Sequence, residues 1–570
     1  MEYQSENKIC QNCKKDFTIE MDDFSFYEKI KVPPPTFCPE CRMQRRFSVR
    51  NERNLYRREC GLCGNKIISM YSPDKQFPVF CTSCWWGDKW DPTVDGQQYD
   101  FTKPFFKQFR ELLNKIPRPS LIVPDTKNCD FCNHMAGGKD SYLCFGSINI
   151  ENCFYGSPYE SKYCVDTYVS RECEYCYESI DSEKLSRCKY CHNCSNSFDL
   201  TYCFDCKNCN DCIGCAGLRN KSYFIFNKQY TKEGYLKEKS KILDGSYKKL
   251  NAIKEEFENI KIKLPRKFST ILYSDNVKGD HIVQSKNATY CFDVKKSKDI
   301  KYCKQVIEAI DVHDANYCEF MELCYDYIGY WKINRVLFSN IIGDSNNIKY
   351  SDFCSASSNL FGCIALRSKQ YCILNRQYTK SEYEELVPKI IKHMSDMPYI
   401  DSKGRVYKYG EFFPSELSPF AYNETIAQEY YPLTKEQALE QGYKWKDKEE
   451  RNYTIDIHTD DIPDSINDTE DQDILNKVIE CFHKGTCNQQ CTEAFKIIPE
   501  ELSFYRRMNL PLPRLCPNCR HYERLAQRNP MKLWHRSCMK EGCTNTFETS
   551  YAPERPEIVY CEKCYQGEVY

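Results

Sequence analysis

The chain has 570 residues, a formal net charge of −1 and 14% aromatic residues, including 43 Tyr and 32 Phe. That length exceeds a single domain, and the apolar and aromatic content excludes general disorder. A net charge near zero leaves no whole-molecule electrostatic preference, so any binding must come from local patches.

The first residues, MEYQSENKICQNC, carry no apolar signal-peptide core, and no run long enough to span a membrane occurs. Thirty-nine cysteines without an export signal point to a reducing, cytoplasmic setting. There, C-x2-C pairs read as metal sites or buried thiols rather than disulfides.

Residues 1–92 form a double zinc module. Cys10-x2-Cys13 is followed after 24 residues by Cys38-x2-Cys41, and Cys60-x2-Cys63 after 17 residues by Cys81-x2-Cys84. Each knuckle offers two thiolates from one tight turn, and four thiolates complete a closed tetrahedron. Arg42, Arg46, Arg50, Arg53 and Arg57 follow at spacings of 4, 4, 3 and 4, one face of a helix. Guanidinium groups match phosphate in a bidentate fork, so the stripe is a candidate nucleic-acid surface. Trp85, Trp86 and Trp90 could stack on bases or fill a core. The competing reading has the arginines offsetting tetrathiolate charge and pairing with acids.

Residues 93–128 hold an amphipathic helix and linker, with Phe106, Phe109, Leu113 and Ile116 on one face between Pro104 and Pro117. Residues 129–265 and 266–398 are two copies of a Cys/Tyr-rich repeat. GCAGLRNKSYFIFNKQYTKEGY, from Gly214, returns as GCIALRSKQYCILNRQYTKSEY, from Gly362, at an offset of 148. Units of about ten residues carrying Tyr-Cys or Asn-Cys pairs, such as SKYCVDTYV, predict a parallel β-solenoid-like array. Helical stretches from Tyr230 and Tyr378 are expected to cap each copy. Residues 399–478 read as a linker, acidic at its end.

Residues 479–570 repeat the first module at an offset of 478. The knuckles are Cys487-x3-Cys491 with Cys516-x2-Cys519, and Cys538-x4-Cys543 with Cys561-x2-Cys564. One extra residue in the first knuckle makes Cys481 an alternative to Cys487. Arg42, Arg46 and Arg50 fall on Arg520, Arg524 and Arg528. Four closed all-cysteine sites are therefore expected, with about four structural zinc ions per chain and no catalytic metal.

The stretches CQNCKKDFTIEMDDFSFYEKIKVPPPTFCPECR and CNQQCTEAFKIIPEELSFYRRMNLPLPRLCPNCR resemble a bacterial zinc-ribbon (treble-clef-like) family. The shared marks are the first knuckle, a Phe soon after, a Phe-Tyr pair midway and a Pro-containing turn into CPxCR. The resemblance covers about 35 residues at each end, and the whole chain is similar to uncharacterised bacterial multi-zinc proteins. It implies structural zinc; the occurrence of such ribbons beside nucleic-acid-binding domains is an association only.

Eight cysteines crowd Cys188 to Cys215. The ungapped offset of 148 turns Cys188 into Val336, Cys194 into Ile342, Cys212 into Leu360 and Cys144 into Phe292. Apolar replacements favour core packing over a metal site. A metal site at this run, or at Cys129-x2-Cys132-x-His134, is the alternative. Asp166, Asp199, Asp205, Asp311 and Asp326 lie near turns without a shared offset, and no HExxH, GxSxG or phosphate-binding glycine loop appears.

The fold expected is mainly β with short helices: zinc-ribbon or treble-clef modules at both ends, flanking two solenoid-like repeats with helical caps. The function expected is non-enzymatic binding of nucleic acid, RNA included, through the arginine-faced helices. Protein–protein scaffolding is the first alternative, and a carbohydrate- or polymer-active enzyme the second. No small-molecule cofactor and no membrane are expected.

Overall fold

The computed structural model describes residues 4–448 and 452–569. The chain is mainly β, with several short helices. Two stacked arrays of parallel strands, over residues 127–229 and 271–377, form its centre. In the first, Cys191 lies beside Cys203, and Cys203 beside Cys215. In the second, Phe292 lies beside Lys304, and Asn346 beside Ser358. The chain therefore returns to the same place every 12 residues, not about every ten as its Tyr-Cys pairs suggest.

A three-residue step generates this rung. Tyr190, Asn193, Asn196, Asp199 and Tyr202 all have φ between 48° and 55°, and the pattern continues through both arrays. Each left-handed residue turns the chain, and the next residue points inward. Cys191, Leu200 and Cys203 are fully buried in this way, and Cys194 nearly so. Asn, Asp and Gly visit this region at low cost, which explains their frequency at the corners. The Tyr-Cys and Asn-Cys pairs are thus a corner followed by an interior residue. The ten-residue estimate fails because other residue types occupy many of the corners.

The corners also explain why the interior favours Cys and Ser. Ser197 Oγ accepts from the Cys209 N–H at 3.0 Å, and Ser351 Oγ from the Cys363 N–H at 3.1 Å. Cys132 Sγ accepts from the Cys144 N–H at 3.4 Å. Interior thiols donate to the carbonyl two residues back, as Cys191 does to Lys189 at 3.5 Å. A small side chain that accepts and donates satisfies backbone groups that a strand ladder would otherwise pair.

The offset of 148 slips to 147 and back: corner Asn128 still matches Asn276, and the second array shifts register between Lys278 and Gly279. The rung linking Ile148 to Tyr159 is one residue short. Between the two slips, corner Leu143 matches corner Tyr290, so the counterpart of Cys144 is Cys291 and not Phe292.

Each array is covered by a helix outside its strands, the first by its own expected cap and the second by a helix that precedes both arrays. Helix Phe105–Leu113, expected as an amphipathic helix, packs on the second array, with Phe105 5.4 Å from Phe361 and 5.2 Å from Tyr350. Helix Tyr247–Lys261 does the same for the first, where Leu250, Ile253 and Phe257 join Ile213 in one apolar cluster. Two further contacts close the last rungs: Tyr235 of Lys232–Ile242 lies 5.7 Å from Tyr223, and Tyr383 of Lys380–Asp396 lies 5.7 Å from Tyr371.

The end modules dock crosswise. Phe26 and Tyr27 pack on Tyr325 of the second array at 6.0 and 5.5 Å. Phe504 and Tyr505 pack on Tyr177 of the first array at 6.3 and 5.8 Å. Tyr177 and Tyr325 are separated by the repeat offset of 148. Much of the stretch expected as a linker after residue 399 belongs to the core: Tyr407, Phe412 and Tyr422 are buried against the first module. Among the described residues, no helix is long and apolar enough to cross a membrane.

Candidate metal centres

Each end module builds its thiol groups from the same parts. A hairpin, Glu6–Ile9 with Asp16–Ile19, carries Cys10 and Cys13 at its turn. Lys14, with φ of 60°, donates back to the Cys10 carbonyl at 3.1 Å and closes the knuckle. Cys38 then caps helix Pro39–Phe47, and its N–H donates to Cys10 Sγ at 3.3 Å. Cys13 and Cys38 Sγ stand 3.7 Å apart. A metal–sulfur bond of about 2.3 Å requires a tetrahedral edge of about 3.8 Å, so this spacing fits an ion.

The other groups repeat the design. Cys60, Cys63, Cys81 and Cys84 converge on hairpin Tyr56–Glu59 with Lys66–Ser69, with Cys63 and Cys81 Sγ 3.9 Å apart. Cys538, Cys543, Cys561 and Cys564 converge likewise, with Cys543 and Cys561 Sγ 3.9 Å apart. In both, the N–H of the third cysteine donates to the first sulfur at 3.3 Å. Knuckles therefore pair consecutively along the chain.

The remaining group departs from the expectation. It consists of Cys481, Cys491, Cys516 and Cys519, with Cys481 in the place expected for Cys487. The Cys516 N–H donates to Cys481 Sγ at 3.2 Å, matching the Cys38–Cys10 bond. The offset of 478 places Cys10 on Asn488, so the ligand has moved seven residues upstream. An insertion in the hairpin turn separates it from Cys491. All four groups can hold a metal ion, and their residues supply soft, tetrahedral, all-sulfur sets of the kind zinc takes.

The arginine stripe is not an open face. Arg42, Arg46, Arg50, Arg520 and Arg524 are buried, and Arg528 nearly so. Arg42 and Arg46 share Asp314 at 2.8 and 3.1 Å, and Arg46 also reaches Asp326 at 2.6 Å. Arg520 and Arg524 share Asp166, both at 2.8 Å, and Arg524 reaches Glu178 at 3.0 Å. Asp166 and Asp314 differ by 148, as do Glu178 and Asp326. The same salt-bridge cluster thus occurs twice, once per array. Arg528 bridges the arrays, with Asp181 at 2.9 Å and Asp293 at 2.6 Å. Arg50 pairs with Glu52 at 2.7 Å, and Arg53 lies 4.7 Å above the Phe145 ring. Arg57 alone of the eight is exposed. The helix-face reading fails for Arg50, Arg53 and Arg57, and for Arg528, because helices Pro39–Phe47 and Pro517–Ala526 end before them.

Burial alone would lower the Arg42 pKa; Asp314 outweighs it and holds the guanidinium charged. Asp166 and Asp314, the acceptors at the centre of each cluster, were missed as partners in sequence. Their shared offset of 148 was the available signal. Trp85 is buried against Trp90 at 4.9 Å, and Arg367 of the second array lies 4.7 Å over Trp85 and 4.4 Å over the exposed Trp86. The tryptophans therefore belong to the module–array seam.

Cys188 to Cys215 line the interior of the first array, all essentially inaccessible. Cys132 shares that interior, whereas His134 lines a cavity of about 260 Å³ between the arrays, together with Asp181, Glu319 and Trp331.

No known family matches this chain, and no curated protein does. Among solved structures, a "putative acetyltransferase from Desulfovibrio desulfuricans G20" is 10% identical, spanning 50% of this chain and 86% of that one, with a TM-score of 0.11. A likeness that weak carries no argument about fold or activity.

Proposed function

We propose that this is a non-enzymatic scaffold held by structural zinc, with zinc-ribbon or treble-clef-like modules clamping two β-solenoids and a protein as the partner. The observation that carries this reading is the crosswise burial of the arginine helices: Arg42 and Arg46 are spent on Asp314, Arg520 and Arg524 on Asp166. A guanidinium paired inside the molecule is not free to fork onto phosphate. The module helices thus act on the chain's own arrays rather than on nucleic acid.

The outer faces support the same reading. Lys139, Glu151 and Lys162 line up on successive rungs at 2.8 and 3.0 Å, a self-neutralised row rather than a basic track. An enzymatic role would need free carboxylates facing a cleft. Asp181 and Asp293, which face the inter-array cavity, are both held by Arg528. A cytoplasmic setting fits the many unpaired thiols.

The test is retention of the metal-loaded chain on single-stranded RNA and on duplex DNA across a salt series. The scaffold reading expects weak retention that is unchanged by Arg46→Met and Arg524→Met in folded protein. Tight retention that falls steeply with salt would restore the nucleic-acid reading.

A further inference from the structure

The C-terminal module carries something its twin lacks. The turn that needs only Gln11 and Asn12 between Cys10 and Cys13 holds nine residues between Cys481 and Cys491. That insertion brings two further ligand-type residues, His483 and Cys487, and the fold carries both to Cys519. Cys487 Sγ lies 3.7 Å from Cys519 Sγ, the edge length of a metal–thiolate tetrahedron. His483 Nδ1 is buried and has no hydrogen-bond partner.

We propose that His483, Cys487 and Cys519 form a fifth metal site, joined to the neighbouring tetrathiolate through a bridging Cys519 thiolate. The occupant is a divalent d10 ion of the zinc class. This rests on the reading that Cys481, Cys491, Cys516 and Cys519 themselves hold a metal.

Cys487 is not a spare ligand for the first ion. Cys481, Cys491, Cys516 and Cys519 converge as one set, and His483, Cys487 and Cys519 as another, with only Cys519 in common. Two sets that meet at one sulfur describe two tetrahedra sharing a corner. Thiolate sulfur is soft and polarisable and tolerates two such ions.

Charge balance favours the second ion. With one divalent cation the four thiolates carry a formal charge of −2 and Cys487 stays a thiol; adding the second cation and releasing the Cys487 proton leaves −1, and His483 binds neutral. On loading, the Cys487 thiol gives its proton to solvent and its sulfur lone pair to the metal. The second tetrahedron has three protein ligands, and its fourth position falls to water. His483 and Cys487 are both partly exposed, so the ion can exchange with solvent, unlike the closed tetrathiolate.

The experiment is metal content per chain, by elemental mass spectrometry, on protein refolded with excess zinc and dialysed. The native chain is expected to hold about five zinc ions, four in the tetrathiolates and one here. His483→Ala and Cys487→Ser should each hold one fewer. Both lie in an inserted turn, and an unchanged melting temperature of the four-zinc core would show that the fold survives. A native count of four or fewer, or a count that neither variant lowers, overturns the proposal. The neighbouring tetrathiolate is separately tested by Cys481→Ser, which should lose an ion even when His483 is already changed to Ala.

Discussion

Arg524 lies 2.8 Å from Asp166, and the two come from opposite parts of the chain. Arg46 stands to Asp314 in the same way, at 3.1 Å. Asp166 and Asp314 are wholly inaccessible, so removing a partner leaves a buried charge short of compensation. Breaking such a pair costs about 3–5 kcal/mol. Arg524→Met should therefore lower the denaturant midpoint strongly. Adding Glu178→Gln should recover part of the loss, because Glu178 loses its ion-pair partner with Arg524, whereas Asp166 keeps Arg520. Arg57→Met, on the exposed end of the same stripe, should shift stability by no more than about 0.5 kcal/mol. Equal losses from Arg524→Met and Arg57→Met would sink the docking account.

Metal removal should act on the modules before the arrays. The hairpins that carry the thiols are two to four residues per strand and have little core of their own. The arrays keep continuous apolar interiors without any metal. After exhaustive chelation, limited proteolysis should first cut within residues 4–92 and 479–569, and zinc should restore protection. Modules that stay resistant with less than one metal per chain would contradict a structural role.

The metal groups were largely legible because ligand chemistry fixes spacing. Two thiolates per tight turn and a fixed hairpin length leave a signature that survives at both ends, as Cys60 to Cys84 and Cys538 to Cys564 show. The exception, Cys481, sits beyond an insertion, and spacing cannot follow a ligand across an insertion. The arginines were legible as a stripe but not in direction. A row of guanidiniums looks the same whether it faces water or a partner, and its carboxylates lie hundreds of residues away. The three-residue step was visible in Cys203, Cys206, Cys209, Cys212 and Cys215. What hid the 12-residue rung is that corner residues are chosen for tolerance of positive φ, which Tyr202, Asp205 and Asn208 meet in different ways.

The interior cysteines should be replaceable by what their counterparts use. Cys188→Val, Cys212→Leu and Cys209→Ser copy Val336, Leu360 and Ser357, all buried in the second array. Cys188→Val and Cys212→Leu enlarge a side chain in a packed interior and cost about 1–3 kcal/mol each, whereas Cys209→Ser nearly conserves volume. Metal content should stay the same in all three. A variant that loses a metal ion along with its thiol would show that the first array holds metal its twin does not.

The C-terminal seam should weaken as pH rises through neutrality. Three carboxylates, Asp166, Glu178 and Glu501, surround two arginines there, Arg520 and Arg524. The N-terminal seam has a third arginine, Arg45, beside Asp326 and Glu411, and the offset of 478 replaces it by Glu523. Burial pushes the Glu178 carboxyl from 4.5 up to about 7, although Arg524 pulls the other way. A carboxyl raised in the fold favours its protonated form there. Its contribution to stability is full below pH 4.5 and is lost as pH climbs through about 7. Glu178 keeps 15% of its side-chain surface, which holds the effect to about 1–2 kcal/mol. The native chain should lose melting temperature between pH 5 and pH 8, and Glu178→Gln, which still accepts from Arg524 but cannot ionise, should lose less. Parallel melting curves for the two proteins across that range would place the titration elsewhere.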